Sequence, residues 1–322
     1  MQEHGGNIDM AIARFGGRAE DWIDLSTGIN RRPFPVGEVP PHRWHSLPSQ
    51  ADLKSLHETA QQAYATTAPI TALGGAQAAI QLLPYLSRLG RARILGPTYN
   101  EYGPTLAAAG WRIEETGDLD ALAGSDLAVV VNPNNPDGRR HDAKALLALI
   151  SRVGRLVVDE SFVDAVPGLS LAPQAGRGGL LILRSLGKFY GLAGLRLGFA
   201  LGSEADIAAL GAMAGPWPVS GAAIEVGQRA LRDRDWAAET TARLSHASLR
   251  LDDLARDSGW KLVGGTPLFR LYETGEAIAA QARLARACIW SRVFPGQPGW
   301  LRLGLPGDDT EWARLAAALR PT

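Results

Sequence analysis

The 322-residue chain has one cysteine, four lysines and no uninterrupted apolar run long enough for a membrane helix. Cys288 alone can form neither an internal disulfide nor a zinc cage, which predicts a reduced, cytoplasmic protein without a metal site. The longest uncharged stretch, residues 207–224, contains several glycines and prolines, which are not typical of a membrane-spanning helix. The N-terminal residues also lack the basic and apolar regions of a secretory signal.

An excess of charge of either sign is also missing. The 33 Lys and Arg residues equal the 33 Asp and Glu residues in number, and the chain has no basic run. This composition excludes the usual electrostatic signature of proteins that bind nucleic acid or an anionic membrane surface. Because 46% of the residues are apolar, the chain can bury a large core. Since nucleic acid and membrane surfaces are disfavoured by the charge balance, the expected partner is a small molecule.

Short apolar runs alternate with helix-like segments through the first two thirds of the chain. This alternation predicts an α/β fold in which helices cover a mostly parallel sheet. The runs span residues 91–97, 111–116, 126–132, 155–160, 180–185 and 196–202.

Changes in composition divide the chain into three predicted parts. Residues 1–40 lack a strong period and are expected to form an extended N-terminal arm that packs with the small domain. Residues 41–215 are predicted to form the large domain. Residues 216–322, which begin in a Pro/Gly-rich segment, are predicted to form a smaller α+β domain. Within it, residues 224–258 are expected to form one long helix.

The strongest chemical signal is the glycine-rich segment SLGKFYGLAGLRLGF, residues 185–199. Lys188 has mostly apolar neighbours, which favour the neutral, nucleophilic amine that a Schiff-base lysine requires. Ser185 and Arg196 add a hydroxyl and a fork of N–H donors that suit a phosphate. The alternative is an ordinary solvated lysine in a flexible loop, the commoner case for an arbitrary lysine.

This segment resembles the lysine motif of the pyridoxal-phosphate (PLP) enzymes of aminotransferase fold type I. Further segments in the expected order extend the resemblance over most of the chain. NPNNPDG, residues 132–138, is similar to the Asn-Pro-x-Gly element, which implies that Asn135 binds the phenolic oxygen of the cofactor. Asp159 matches the carboxylate that pairs with the pyridine nitrogen. A protonated ring is the electron sink that stabilises a carbanion at Cα.

The resemblance also implies residues for the cofactor's phosphate and ring face. Gly74, Gly75 and Ala76 join an apolar run to a helix, so their backbone N–H groups are expected to bind the phosphate. Tyr99 in PTYNEY is expected to stack on the pyridine ring, although an ordinary core tyrosine is the alternative.

The cofactor residues Asn135, Asp159 and Lys188 all follow apolar strands. They are therefore expected at the carboxyl edge of one sheet, where open α/β sheets bind ligands. Three positions depart from the family pattern and are expected to loosen cofactor binding: Phe162, where a tyrosine is frequent near the phenolic oxygen, and Gly187 and Ala76, which lack a hydroxyl.

The opening segment EHGGNIDMAIARFG, followed by DWIDLSTGIN, resembles the threonine-phosphate decarboxylase family of cobalamin synthesis. In that family the N-terminal arm helps to hold the substrate phosphate. Arg302 in WLRLGLP matches the arginine that binds a substrate anion, and Arg292 lies near a second basic position, although either could be a surface cation. The residues implied in substrate binding are His4, Gly5, Gly28, Asn30, Asn135, Arg292 and Arg302.

The resemblance implies that O-phospho-L-threonine is decarboxylated to (R)-1-amino-2-propanol O-phosphate, with Lys188 and Asp159 as catalytic residues. The alternatives are a histidinol-phosphate-type aminotransferase and a non-catalytic PLP-binding regulatory protein. A homodimer is expected because residues 42–53 resemble a segment whose aromatic residue reaches the partner's cofactor. Here Trp44 and His45 replace the usual tyrosine.

Overall fold

Helices and strands alternate along residues 5–320, the part of the chain that this computed structural model describes. The strands are β1 (Ile23–Asp24), β2 (Ile70–Leu73), β3 (Arg91–Leu95), β4 (Arg112–Thr116), β5 (Leu127–Val131), β6 (Leu156–Asp159), β7 (Leu180–Ser185), β8 (Gly198–Leu201), β9 (Lys261–Thr266), β10 (Phe269–Glu273), β11 (Ile289–Trp290), β12 (Arg292–Phe294) and β13 (Gln297–Gly304). The α-helices are α1 (Ile8–Phe15), α2 (His42–His45), α3 (Gln50–Ala63), α4 (Ala76–Leu82), α5 (Tyr102–Ala108), α6 (Ala143–Leu149), α7 (Glu204–Ala214), α8 (Gly221–Arg232), α9 (Arg234–Asp257), α10 (Ala277–Arg286) and α11 (Asp309–Leu319).

The chain divides into two units. The larger unit comprises Phe34–Asn135 and Arg140–Ala237, and the described part of the smaller unit comprises residues 5–33, 136–139 and 238–320. This division differs from the predicted boundary at residue 215. α8 belongs to the larger unit because it packs along α3. Gly227 on α8 also lies close to Leu197, which precedes β8, and a Cβ on this glycine would come within 2.3 Å of the Leu197 side chain.

The larger unit is built on a seven-stranded sheet in the order β2-β8-β7-β6-β5-β3-β4. β8 runs antiparallel to both neighbours, and the remaining pairs are parallel. Every residue of β5, β6 and β7 is buried, as expected of strands covered on both faces. The predicted α/β class and mostly parallel sheet are confirmed.

The strand register aligns the loops that carry the chemical motifs. Val131 at the end of β5 is level with Asp159, which is level with Leu183 near the end of β7. Gly198, at the start of the antiparallel β8, is level with both Leu73 and Ser185. The loops after β2, β5, β6 and β7, and the loop before β8, therefore open at one edge of the sheet.

The smaller unit contains a four-stranded antiparallel sheet in the order β12-β13-β10-β9 and the short parallel pair β1-β11. Within the predicted arm, residues 8–15 form α1 rather than extended chain. Asn7 caps this helix by accepting a hydrogen bond from the Met10 N–H, and Ala11 packs with Trp22 and Trp290. A capped helix with an apolar face buries more surface than an extended segment.

The predicted long helix over residues 224–258 is two helices, α8 and α9. The break lies at Asp233, whose backbone leaves the helical conformation and whose carboxylate accepts a hydrogen bond from the Trp236 N–H. An aspartate at such a position caps the next helix. Neither α9 nor any other helix among residues 5–320 is both long and apolar enough to span a membrane.

Candidate active site

Lys188 lies three residues beyond β7, in the glycine-rich loop at the carboxyl edge of the sheet. Its Nζ is 5.7 Å from the centroid of the Phe162 ring, which is itself buried. Phe189 beside it is 1% exposed. A half-buried amine beside a buried aromatic ring suits a residue that reacts with a bound carbonyl group.

Asp159 ends β6 with its side chain buried at 3% exposure. The Tyr102 hydroxyl donates to Oδ2 at 2.9 Å, and the Ser161 N–H donates to Oδ1 at 2.9 Å. Burial is the largest cause that raises the pKa of Tyr102 well above its usual value, and the charge of Asp159 is the second. The Tyr102 hydroxyl therefore stays protonated and remains a donor. Among residues 5–320 no cationic side chain pairs with Asp159, so a cationic N–H on a ligand would complete its neutralisation.

Tyr102 was missed by the sequence analysis, which singled out only Tyr99 in the same segment. The two rings meet edge to face with centroids 6.4 Å apart, and the Tyr99 hydroxyl donates to Gln77 Oε1 at 3.2 Å. The available signal was the second tyrosine three residues later at the start of α5. Only the fold, which places α5 beside the end of β6, reveals its bond to Asp159.

Glycines bring three chain segments into close approach beside Ser185. Arg196 has a left-handed backbone (φ 53°) and its Nη2 donates to the Gly74 carbonyl at 3.4 Å. A Cβ at Gly75 would lie 2.9 Å from this Nη2, and one at Gly198 would lie 2.6 Å from the Ala76 N. Only glycine fits at these positions, and the result is a cradle of backbone N–H groups and a guanidinium that suits a phosphate.

Asn135 is 8% exposed in the loop that follows β5. This loop is tied to the one that follows β3, because the Asn134 amide donates to the Pro97 carbonyl at 3.0 Å and the Thr98 hydroxyl donates to Asn134 Oδ1 at 2.6 Å. The two loops that carry Asn135 and Tyr99 are thereby held together.

The structure thus places all the predicted cofactor residues in the larger unit, at one edge of its sheet. They are Gly74, Gly75, Ala76, Tyr99, Asn135, Asp159, Phe162, Ser185, Lys188 and Arg196. These residues fit PLP. The half-buried amine matches its aldehyde, the buried carboxylate without a cation matches its pyridine nitrogen, and the glycine-lined cradle matches its phosphate.

A buried ionic cluster that the sequence analysis missed adjoins two of these residues along the chain. Arg184 lies between Glu160 and Asp164, with Nη1 3.3 Å from Glu160 Oε2 and Nη2 bonded to Asp164. It also stacks over the Tyr64 ring at 3.9 Å. Burial raises the pKa of both carboxyl groups, and the charge of Arg184 opposes this. Because Arg184 precedes Ser185 in the chain and Glu160 follows Asp159, the cluster fixes both strand ends.

The smaller unit contains the predicted anion-binding arginines. Arg302 on β13 is 2% exposed and lies directly opposite Arg292 on β12. Its Nη2 donates to the Ser26 carbonyl at 2.7 Å. The pKa of Arg302 is lowered to about 9, mainly by burial and secondly by the charge of Arg292. Like charges directly across a sheet are unfavourable, and a bound anion would relieve the repulsion.

The N-terminal part of the smaller unit brings further predicted substrate residues near Ser26. A Cβ at Gly5 would lie 2.4 Å from the Ser26 carbonyl oxygen, so this glycine permits a close approach of two segments. Gly28 and Asn30 follow in the same loop and are buried. His4 lies outside the described residues.

A sheet of this order, with a lysine beyond β7 and an aspartate ending β6, defines the fold and site of an aminotransferase-like enzyme. The family model "Aminotransferase class I and II" matches residues 42–319, and the chain belongs to this family.

Two curated relatives are named threonine-phosphate decarboxylase. The protein from Pseudomonas aeruginosa is 44% identical over 326 residues, covering 99% of this chain and 97% of that protein. The one from Sinorhizobium sp is 44% identical over 324 residues, covering 98% and 97%. The structure of histidinol-phosphate aminotransferase from Sinorhizobium meliloti in complex with pyridoxal-5'-phosphate superposes with a TM-score of 0.82 at 19% identity, covering 97% and 93% of the two chains.

Proposed function

We propose that this protein is a PLP-dependent carboxy-lyase that converts O-phospho-L-threonine to (R)-1-amino-2-propanol O-phosphate for cobalamin biosynthesis. The observation that carries this function is 44% identity over nearly the full chain to two threonine-phosphate decarboxylases. Lys188, Asp159 and the two opposed arginines supply the chemical groups that this reaction needs. Retention of Lys188, Asp159 and Asn135 together argues against a non-catalytic PLP-binding protein.

When bound, PLP supplies the electron sink that accepts the electron pair left at Cα as the substrate carboxylate departs as carbon dioxide. Asp159 would hold the proton at the pyridine nitrogen, since a buried carboxylate favours a cationic neighbour. Lys188 Nζ would donate a proton to Cα, which replaces the lost carboxylate. Asn135 would bind the phenolic oxygen, and Phe162 would limit the access of water to the amine.

The substrate carries a carboxylate and a phosphate, so its binding requires several charge-assisted donors. Arg302 and Arg292 are proposed to hold one of these anionic groups, with His4, Gly5, Gly28 and Asn30 contributing from the N-terminal segment.

Incubation of the holoenzyme with O-phospho-L-threonine tests the proposal. Carbon dioxide and aminopropanol phosphate should form in equal amounts, without any keto acid. The competing function, a histidinol-phosphate aminotransferase, removes the Cα proton and needs an amino-group acceptor. If phosphothreonine yields no carbon dioxide while histidinol phosphate and 2-oxoglutarate yield glutamate, the decarboxylase proposal is wrong and the family and cofactor remain.

Tyr102→Phe is expected to weaken PLP binding by about five- to tenfold, because removing the hydroxyl takes one hydrogen bond, of roughly 1 kcal/mol, from the Asp159 carboxylate. Titration of the apoenzyme with PLP measures this change directly. Tyr85→Phe, at an exposed tyrosine, is the matched control and should bind PLP as the wild type does. Unchanged PLP affinity in Tyr102→Phe would show that the hydrogen bond from Tyr102 to Asp159 does not contribute to PLP binding.

A twofold homodimer is proposed as the working assembly. Within the segment of residues 42–53, Trp44 is 65% exposed and Leu47 is 67% exposed. Arg43 nevertheless anchors the segment to α8 through an ion pair with Glu225, and it also pairs with Asp52 inside the segment. A fixed segment with two large exposed apolar side chains suits a subunit interface. Light scattering should give twice the chain mass, and Trp44→Asp should reduce it. A fully active monomer would contradict this assignment.

A further inference from the structure

Glycines lie on both sides of Lys188 in the loop that follows β7. Gly187 precedes the lysine, and Gly191 follows three residues later with a left-handed backbone at φ 68°. The Gly191 N–H donates to the Lys188 carbonyl at 3.2 Å, and the Leu192 N–H donates to the Leu186 carbonyl at 3.4 Å. Both bonds are long, and glycine leaves the backbone freer than any other residue does. The position of the lysine therefore depends on what holds the residues next to it.

Two buried aromatic residues follow Lys188 directly. Phe189 is 1% exposed and Tyr190 is 5% exposed, and their rings meet edge to face with centroids 5.2 Å apart. The backbone is held at the same place, because the Phe34 N–H donates to the Tyr190 carbonyl at 2.9 Å. These two residues anchor the lysine loop in the larger unit.

The ring of Trp236, at the start of α9, completes a four-ring cluster with Phe34, Phe189 and Tyr190. It stacks on the Tyr190 ring with centroids 5.5 Å apart and 13° between the planes. It meets the Phe189 ring edge to face at 5.6 Å and the Phe34 ring edge to face at 5.3 Å. Such pairs stabilise a cluster beyond the apolar area that they bury. Asp233 fixes Trp236 in turn, because its carboxylate accepts a hydrogen bond from the Trp236 backbone N–H.

We infer that Trp236 is a positioning residue for Lys188, since it packs on both aromatic side chains that follow the lysine. All four rings of the cluster belong to the larger unit, as do the proposed cofactor residues. The inference rests on the proposed function in one respect, the assignment of Lys188 as the residue that binds the PLP aldehyde.

A fixed backbone favours one step of cofactor loading over the other. An amine that is held in place reaches a bound aldehyde without a search through other conformations, and this preorganisation raises the rate of their reaction. Binding of the PLP phosphate depends instead on the cradle at Gly75 and Arg196. Loss of the Trp236 ring should therefore slow covalent attachment and spare the noncovalent binding that precedes it.

The rate of attachment tests the inference. PLP added to the apoenzyme binds noncovalently, and the Lys188 amine then displaces the aldehyde oxygen, which leaves as water. Trp236→Leu should lower the first-order rate of this second step by about tenfold and keep the noncovalent dissociation constant within about twofold of the wild-type value. Stopped-flow absorbance at a series of PLP concentrations separates the two quantities. Trp236→Tyr, which keeps an aromatic ring, should restore most of the rate.

Trp111→Leu is the matched control. Trp111 is a buried tryptophan of the same unit, 4% exposed, and its indole N–H donates to the Pro84 carbonyl. It belongs to the core cluster that includes Leu83 and Leu106. Its replacement should lower thermal stability and leave the attachment rate unchanged.

Two results would overturn the inference. One is an attachment rate in Trp236→Leu equal to that of the wild type. The other is an equal loss in Trp111→Leu, since any loosening of the core would then have the same effect. Should Trp236→Leu fold poorly, Phe34→Leu removes a ring that contacts Trp236 and should slow attachment in the same way. If the wild type releases no carbon dioxide from phosphothreonine while attachment slows in Trp236→Leu and not in Trp111→Leu, the positioning role stands and the decarboxylase proposal fails.

Discussion

Lys188→Ala is expected to abolish covalent attachment of PLP and to lower the decarboxylation rate by at least roughly 10²–10⁴-fold, the usual contribution of a general acid. The amine is the group placed to join the cofactor aldehyde and to return a proton to Cα. The purified wild type should be yellow, and borohydride should fix the cofactor to the peptide that contains Lys188. The variant should bind PLP only noncovalently.

The small number of lysines makes this test unambiguous. Only Lys54, Lys144 and Lys261 could replace Lys188, and none lies in the loop that follows β7. Lys144→Ala is the matched control, because Lys144 lies on α6 in the same unit. It should retain the colour, the reducible link and full activity. A reducible link in Lys188→Ala would show that the reactive lysine is another residue.

The sheet and the cofactor edge could be predicted because strong local patterns specify them. Buried strands such as β5 and β7 appear in the sequence as continuous apolar runs, and parallel strands align their carboxyl ends. The motifs at Asn135, Asp159 and Lys188 therefore had to meet at one edge. Order along the chain was sufficient to place them.

Features that depend on packing between distant segments could not be predicted in this way. The bond from Tyr102 to Asp159 joins residues 57 positions apart, and the opposition of Arg292 and Arg302 depends on the register of β12 against β13. A local periodicity carries no information on either. The break at Asp233 is different, since an aspartate three residues before Trp236 is a capping signal that the apolar pattern obscured.

Arg302→Gln is expected to reduce kcat/KM for O-phospho-L-threonine by roughly 30- to several thousandfold, the equivalent of about 2–5 kcal/mol for truncating one partner of a buried charge pair. Glutamine keeps a donor for the Ser26 carbonyl but removes the charge. Steady-state kinetics with O-phospho-L-threonine measures this.

The lowered pKa of Arg302 gives the same residue a pH signature. Because that pKa is about 9 in the folded protein, substrate binding should be constant at neutral pH and decline above about pH 9, where the guanidinium loses its proton. The folding contribution has the opposite sign. A cation whose pKa is lowered by burial destabilises the fold below about pH 9, and this penalty diminishes as the pH rises toward the pKa of the unfolded chain.

The Arg302→Gln variant separates substrate binding from unfolding. A decline in kcat/KM above pH 9 that occurs without a parallel loss of thermal stability, and that is absent in Arg302→Gln, would report substrate binding. A decline that persists in Arg302→Gln would assign the titration to another group.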